Sequence, residues 1–509
     1  MKQTWLRLLK FSFPILLWLY LFRNFLTGVT PITGEPFAVV AMVKFYLDHL
    51  CTGVIPLWNP FVQLGFPLQI ILNYFGSSNP IWLLTLILNV MGLSFYFAFV
   101  WTIMIYFLLG QIGFYWLAKA VLKDRGAAYI AFLLSLFSSA GLIEISQFNI
   151  LLIYVPAVWF FYFLVRFYQR KSVSSWIGMT FTLMIIFCAY LPFYFLTVLG
   201  LVILIFILIN WHGSWAFIVE LFRFCRAHSR IVILSFVVLV TSAIPILLAY
   251  QSTVIHEVVF PCRQEGEGIF TRGAALSSYK SATDGGLSRR MSFDELFFNL
   301  DQLIYGNEGF FCVSGLAYLI SLLGAFNKIN RRIVFFMLLG AGIFVLVMSN
   351  ATPIYQFLFE HIVFFRLFRN IHFLLPFLLA AFILLTAEQA RLILTWKKEV
   401  FGQGLVKYIA PVFLFLCIVI QPLIVIEGHN QLAPRDVYAS IKDAMIKKRA
   451  KPQFSFVRDT KAISGTPEEL IQVFYNYYLS MKDTPVDFMK NNHGFPTYWS
   501  FYLFKNFPF

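Results

Sequence analysis

Residues 94–118 read SFYFAFVWTIMIYFLLGQIGFYWLA, and these twenty-five positions contain no charged side chain. A transmembrane α-helix needs about 20 consecutive, mainly apolar residues, so this stretch is long enough to cross a bilayer. Together with ten further apolar stretches it predicts an all-α, polytopic integral membrane protein with about 11 transmembrane helices. The other ten lie near 11–27, 126–142, 150–165, 173–190, 193–210, 231–250, 310–326, 333–349, 371–390 and 408–426.

The composition of the whole chain supports the membrane class. Its 509 residues are 60% hydrophobic and 12% charged, whereas soluble domains carry about a quarter charged residues. The net charge of +15 would suggest nucleic acid in a soluble protein, but in a membrane protein the placement of basic residues reports topology. We therefore expect the lipid bilayer as a partner, and no nucleic acid. The first apolar stretch is interpreted as a retained helix rather than a signal peptide.

Basic residues occupy every second connection between the apolar stretches. Since cytoplasmic loops are the basic ones, this alternation predicts an N-in, C-out orientation. The chain is expected to be a multi-pass membrane protein, with a transmembrane domain over 1–427 and a polar extracytoplasmic tail over 428–509. The predicted inner groups are Lys119/Lys123/Arg125, Arg166/Arg170/Lys171, Arg223/Arg226/Arg230, Lys328/Arg331/Arg332 and Arg391/Lys397/Lys398/Lys407.

The first outer loop, about 28–78, holds the most unusual sequence. Its stretch 56–60 reads Pro-Leu-Trp-Asn-Pro, so the backbone there is stiff, and Asn59 is directed towards extended geometry by the proline after it. Upstream, apolar residues at helical spacing predict an interfacial amphipathic helix. Pro36 fits the first helical position and puts Glu35 at the helix cap. The apolar positions are Phe37, Val40, Val43, Leu47 and Leu50.

Two further segments are predicted to be helical without crossing the membrane. The run from Pro80 to Met91 is apolar but only about twelve residues long, which is typical of a half-buried or re-entrant piece. A second amphipathic stretch follows the sixth apolar stretch and is expected on the inner face. Its pattern consists of Trp215, Ile218, Phe222 and Cys225, with Arg223 and Arg226.

The rigid turn also carries a family resemblance. Pro56-Leu-Trp-Asn-Pro60, followed by Gly65 and Pro67, resembles the first-loop signature of YfhO-type bacterial membrane proteins. That family is similar to the C-type class (GT-C) of polyprenol-dependent glycosyltransferases. Two later segments add to the resemblance, which covers residues 1–427 by order and spacing. They are Phe365-Arg366-Leu-Phe-Arg369-Asn-Ile-His-Phe373 and Ile304-Tyr-Gly-Asn-Glu-Gly309.

The resemblance implies an enzyme that moves a sugar from a polyprenyl-phosphate carrier to a cell-envelope glycan or lipid acceptor on the outer face. In such enzymes an acidic residue soon after the first helix accepts the acceptor's proton, a task suited to a carboxylate. The matching position here is Glu35, where the family more often has Asp. A helix-cap role is the alternative for Glu35. Asp48 is the alternative catalytic acid, although Lys44 one turn earlier predicts a simple ion pair.

The same resemblance implies the substrate-binding residues. Trp58 and Asn59 would contact the sugar, or Trp58 would belong to the aromatic belt of the membrane interface. Arg366 and Arg369 would hold the departing lipid phosphate, because arginine offers a forked pair of donors. Their alternative is snorkelling to lipid headgroups. His372 extends the same helical face as a further candidate.

The sequence does not decide whether the protein uses a cofactor, and it leaves two alternative functions possible. Some C-type enzymes use a divalent metal ion, but the sequence has no ligand cluster that demands one. A transporter or flippase of lipid-linked glycans would be expected to carry paired charges within its spans, and the stretches above are nearly charge-free. An O-antigen ligase-like enzyme is the third possibility, with Arg263, Arg272 and His256 in a large outer loop as its candidates.

Overall fold

The structure of the protein is a computed structural model. It describes residues 2–27, 35–54, 58–59, 66–67, 76, 79–138, 148–189, 192–255, 313, 315–324, 329–347, 354, 357–358, 361–362 and 371–401. These residues are almost entirely helical, which confirms the all-α prediction. The helices are α1 Lys2–Leu21, α2 Arg23–Leu26, α3 Glu35–Cys51, α4 Trp82–Val90, α5 Phe95–Leu122, α6 Arg125–Leu136, α7 Phe148–Arg170, α8 Val173–Phe187, α9 Phe193–Ile209, α10 Trp211–Ala227, α11 Ser229–Ile255, α12 Gly315–Gly324, α13 Arg331–Val347 and α14 Leu375–Phe401, with a 3-10 helix at Ile371–Leu374 and two short strands, β1 Trp58–Asn59 and β2 Phe66–Pro67.

Three of the described helices are long and apolar enough to cross a membrane. They are Phe95–Leu122, Ile150–Arg170 within α7, and Leu375–Ile393 within α14. A fourth crossing is formed if α9 and α10 are one broken span, since the two are bent by 118°. The chain is therefore a membrane protein.

Ten of the eleven predicted apolar stretches coincide with helices, and the eleventh, 408–426, lies outside the described residues, as does the tail 428–509. The first stretch was predicted over 11–27, but α1 ends at Leu21. The break lies at Phe22, and the short helix α2 begins at Arg23. The Arg23 guanidinium folds back over the break, 4.3 Å from the centre of the Tyr20 ring, and donates to the Tyr20 carbonyl at 3.2 Å.

The chain divides into two compact units. The first consists of Met1–Met104, Leu248–Glu267 and Ile426–Phe509, and the second of Ile105–Leu247 and Gly268–Val425. Within the second unit, α7 packs along α8, and α14 packs against α6, α12 and α13. The core of that unit is therefore built by helix pairs, as expected for an all-α membrane protein.

Glycines set the close approach of the helices in the second unit. A Cβ atom at Gly178 of α8 would lie 2.6 Å from ring atoms of Phe163 in α7, and one at Gly113 of α5 would lie 2.7 Å from the Trp159 indole nitrogen. That indole donates to the Leu109 carbonyl at 3.0 Å. Small residues at such contacts are how membrane helices bring their backbones together.

Helix α10 has two apolar faces. One packs on the protein, where Phe224 lies 4.9 Å from the Phe167 ring. The other face is exposed to the surroundings of the protein. The exposed fractions of Trp211, Trp215 and Phe222 are 67%, 68% and 72%. The sequence prediction of an amphipathic stretch through Trp215 and Phe222 therefore falls on a helix, and the exposed aromatic face is the kind that lies in a membrane interface.

Candidate functional site

Helix α3 carries the apolar stripe that its sequence predicts. Val40, Val43 and Leu47 are buried at 3%, 0% and 2% exposure, so one face of the helix packs within the first unit. The helix begins at Glu35, within one residue of the predicted cap position. The placement of the Glu35 side chain lies outside the described part of the structure.

Asp48, the alternative acid, forms the ion pair that its spacing predicts. The Lys44 ammonium donates to both carboxylate oxygens, at 2.9 and 3.2 Å. Lys44 is held in place, with only 12% of its side chain exposed against 40% for Asp48, and its nitrogen lies 5.4 Å from the centre of the Phe95 ring. Asp48 thus has the ion-pair partner that its sequence spacing predicts.

Glu35 and Asp48 are alternatives and not partners. They are thirteen residues apart on one helix, which separates them by about 20 Å along the axis and about 140° around it. The pair cannot act on one bond as acid and base.

Trp58 and Asn59 of the predicted turn have an extended backbone, as the proline after Asn59 predicts. Trp58–Asn59 pairs antiparallel with Phe66–Pro67, with Trp58 opposite Pro67 and Asn59 opposite Phe66. This pairing fixes the backbone of Trp58 and Asn59, whose side chains lie outside the described part of the structure.

The short helix α4 supports the end of the first loop. It has nine residues, about 14 Å, which agrees with the prediction of a piece too short to cross. Trp82 is fully buried, stacks 4.9 Å from Phe99 and donates its indole N–H to the Gly76 carbonyl at 2.7 Å. The Thr85 hydroxyl donates to that of Thr102 at 2.8 Å. Gly76, near the end of the loop, is thus held by a hydrogen bond to a buried tryptophan.

The predicted phosphate-binding residues are only partly described. Arg366 and Arg369 lie outside the described residues. His372 falls in the 3-10 helix that leads into α14, with its side chain not described, and the next residue, Phe373, packs 5.3 Å from the Tyr194 ring. The second part of the predicted site therefore remains a prediction.

Sequence reasoning missed a charged cluster centred on Glu388 in α14. Glu388 is fully buried and accepts hydrogen bonds from the Asn330 amide at 2.8 Å and from the Arg391 guanidinium at 2.7 and 2.9 Å. Arg332 lies 3.5 Å from it and donates to the Leu122 carbonyl at 3.0 Å. The spans were predicted to be nearly charge-free, and Glu388 is the one acid in the predicted stretch 371–390.

The only local signal for this cluster is the three-residue spacing of Glu388 and Arg391, which places them on one helical face. The other partners are more than fifty residues away in the chain. Such contacts depend on helix packing and leave no pattern in a short window of sequence.

Neither a metal-binding cluster nor a comparison with known proteins adds to the description of the site. Among the residues with described positions, no group of three or more His, Cys, Asp or Glu side chains could hold a metal ion. No protein-family model matches the chain, and no curated protein matches it.

Proposed function

We propose that the protein is a membrane glycosyltransferase of the GT-C type, related to YfhO-type proteins, with about 11 spans in an N-in, C-out orientation. It would move a sugar from a polyprenyl-phosphate carrier to a cell-envelope glycan or lipid acceptor at the outer face of the bacterial cell membrane. Glu35 acts as the base, Trp58 and Asn59 contact the sugar, and Arg366, Arg369 and His372 hold the phosphate.

The observation that carries the proposal is the architecture of the first loop. A helix begins at Glu35, and the backbone of Trp58–Asn59 is pinned by pairing with Phe66–Pro67 within the same compact unit. An acid at a helix start and a rigid aromatic-amide turn are the parts that an outward sugar site requires. The ion pair of Asp48 with Lys44 favours Glu35 over Asp48 as the base.

A transporter or flippase of lipid-linked glycans is the second candidate, and one observation favours it. Such a protein needs paired charges within its spans, and Glu388 with Arg391 is such a pair. The pair lies in the last two turns of the span Leu375–Ile393, however, near a membrane surface. That position suits a surface site better than a path through the bilayer.

The test is sugar transfer by the purified full-length protein. Radiolabelled polyprenyl-phosphate sugars and envelope acceptors would be incubated with wild type, Glu35→Gln, Asp48→Asn and Glu220→Gln. Loss of the base is expected to slow transfer by about 100-fold or more. Glu220, an exposed partner of Lys171 on α10, is the matched control and should keep full activity, as should Asp48→Asn.

Two outcomes would contradict the proposal in different ways. Undiminished transfer by Glu35→Gln would remove Glu35 from the mechanism and leave the reaction intact. Absence of transfer with every donor, together with movement of the lipid-linked sugar across liposome bilayers, would replace the enzyme by the transporter.

A further inference from the structure

Three segments of the second unit that are distant in sequence line an open pocket of about 440 Å³. They are Leu122–Asp124 between α5 and α6, Asn330–Arg332 at the start of α13, and Glu388 with Arg391 near the end of the α14 span. The volume lies in the range of pockets that hold small ligands, roughly 300–1,000 Å³. All three segments are ones that the charge pattern assigns to the cytoplasmic side.

Positive charge dominates the pocket. Four cationic side chains, Lys123, Arg331, Arg332 and Arg391, line it against two carboxylates. Arg332 and Arg391 are half-buried and oriented by Glu388, while Lys123 and Arg331 stand exposed at the rim. The pocket therefore combines a fixed cationic floor with a solvated cationic rim.

Both carboxylates are already occupied by internal donors. Glu388 accepts from Asn330 and Arg391, and Asp124 accepts from the backbone N–H of Ala127 at 2.7 Å as the cap of α6. The described part of the chain shows no side-chain hydrogen bond or ion pair for Lys123 or Arg331, and the four cations outnumber the two carboxylates. An anionic ligand would supply the missing negative charge.

The backbone adds to the positive potential. Helices α6 and α13 both begin at the pocket, at Arg125 and Arg331, and a helix N-terminus carries about half a positive charge. Lys123 holds φ +56° in the turn before α6, a left-handed conformation that glycine adopts at lower cost. Lys123 therefore occupies a rim position whose backbone conformation favours glycine.

From these observations we propose that the pocket binds a phosphate group, either on an anionic lipid headgroup or on a soluble phosphate compound. Forked guanidinium donors match phosphate oxygens, and basic pockets between membrane helices recruit phosphate-bearing headgroups. The site is separate from the proposed sugar site, and its existence does not depend on the glycosyltransferase activity.

The experiment compares binding of two probes to the purified full-length protein. One probe is phosphatidylglycerol in neutral-detergent micelles, with zwitterionic phosphatidylcholine, whose net charge is zero, as its counterpart. The other is inorganic phosphate against chloride at equal ionic strength. The rim variant is Lys123→Gln with Arg331→Gln, which leaves the Glu388 contacts intact. The matched control, Arg223→Gln with Arg226→Gln, removes two exposed cations from α10.

Wild type and the α10 control are expected to bind one of the phosphate probes with equal affinity, and the rim variant to bind it about tenfold or more weakly. Binding of phosphatidylglycerol alone would assign a lipid headgroup, and binding of inorganic phosphate would assign a soluble ligand. Equal affinity of all three proteins, or no preference for either phosphate probe, would overturn the proposal.

A single substitution separates binding from folding. Lys123→Gly removes the rim charge and also relieves the left-handed backbone, so the melting temperature should be unchanged or higher while phosphate binding weakens. Weaker binding accompanied by a lower melting temperature would mean that the rim acts through the fold, and this too would overturn the proposal.

Discussion

A carboxylate shielded from solvent, such as Glu388, keeps its charge only where donors surround it. The Asn330 amide and the Arg391 guanidinium supply three hydrogen bonds within 2.9 Å. Asn330 has a second task, because its Oδ1 accepts from the backbone N–H groups of Arg332 and Ile333. One asparagine thus caps α13 and joins it to α14.

Removing the carboxylate should destabilise the protein strongly. Glu388→Ala leaves two half-buried arginines without their shared partner, and breaking a buried pair costs about 3–5 kcal/mol. The measurement is unfolding of the purified protein in detergent. Glu220→Ala, which breaks only the exposed pair with Lys171, should cost about 1 kcal/mol or less. Equal losses in the two variants would show that the cluster does not stabilise the fold.

At the scale of the elements, the contact between α7 and α8 depends on a missing side chain. Phe163 lies over Gly178, and any Cβ there would come within 2.7 Å of three ring atoms. The ring cannot move freely, because it also lies 5.2 and 5.9 Å from the rings of Tyr162 and Trp159. The separation of the two helices is therefore set by one glycine.

Gly178→Ala should push α8 from α7 and destabilise the protein by about 1–3 kcal/mol. Gly200→Ala in α9 is the matched control, since a Cβ there meets nothing within 4 Å. Alanine is the better helix former by about 1 kcal/mol, so the control should melt at the same or a higher temperature. A melting temperature of Gly178→Ala as high as that of the control would contradict the close contact.

Across the whole molecule, the fold class followed from the sequence more fully than the site did. The stretch 193–210 was located almost to the residue as α9, Phe193–Ile209, because apolar density is a local property. Extended backbone at Asn59 and the pair of Lys44 with Asp48 were also local. The pocket was not predictable, since Leu122, Asn330 and Glu388 meet only after helices far apart in the chain have packed.

The orientation of the molecule can be tested with alkaline phosphatase fusions, which are active only outside the cytoplasm. Fusions after Lys171, Asn210, His228 and Asn330 should be inactive, and one after Pro192 should be active. The expectation for His228 arises because α10 bends 118° from α9 and exposes Trp215 and Phe222, as an in-plane helix does.

Reporter activity after His228 but not after Asn210 would mean that α10 crosses the bilayer. Activity after Lys171 or Asn330 would reverse the predicted orientation. The second result would also place the opening of the phosphate pocket on the outer side of the membrane.

The three-residue spacing of Glu388 and Arg391 has a consequence for biosynthesis. A membrane-inserted helix emerges from the ribosome before its distant neighbours have packed against it, and a lone acid in it would meet lipid at a cost of several kcal/mol. Here the counter-ion belongs to the same helix and pairs within one turn. The helix can therefore enter the translocon with the Glu388 charge already paired with Arg391. Asn330 and Arg332 add their contacts to Glu388 when the helices pack.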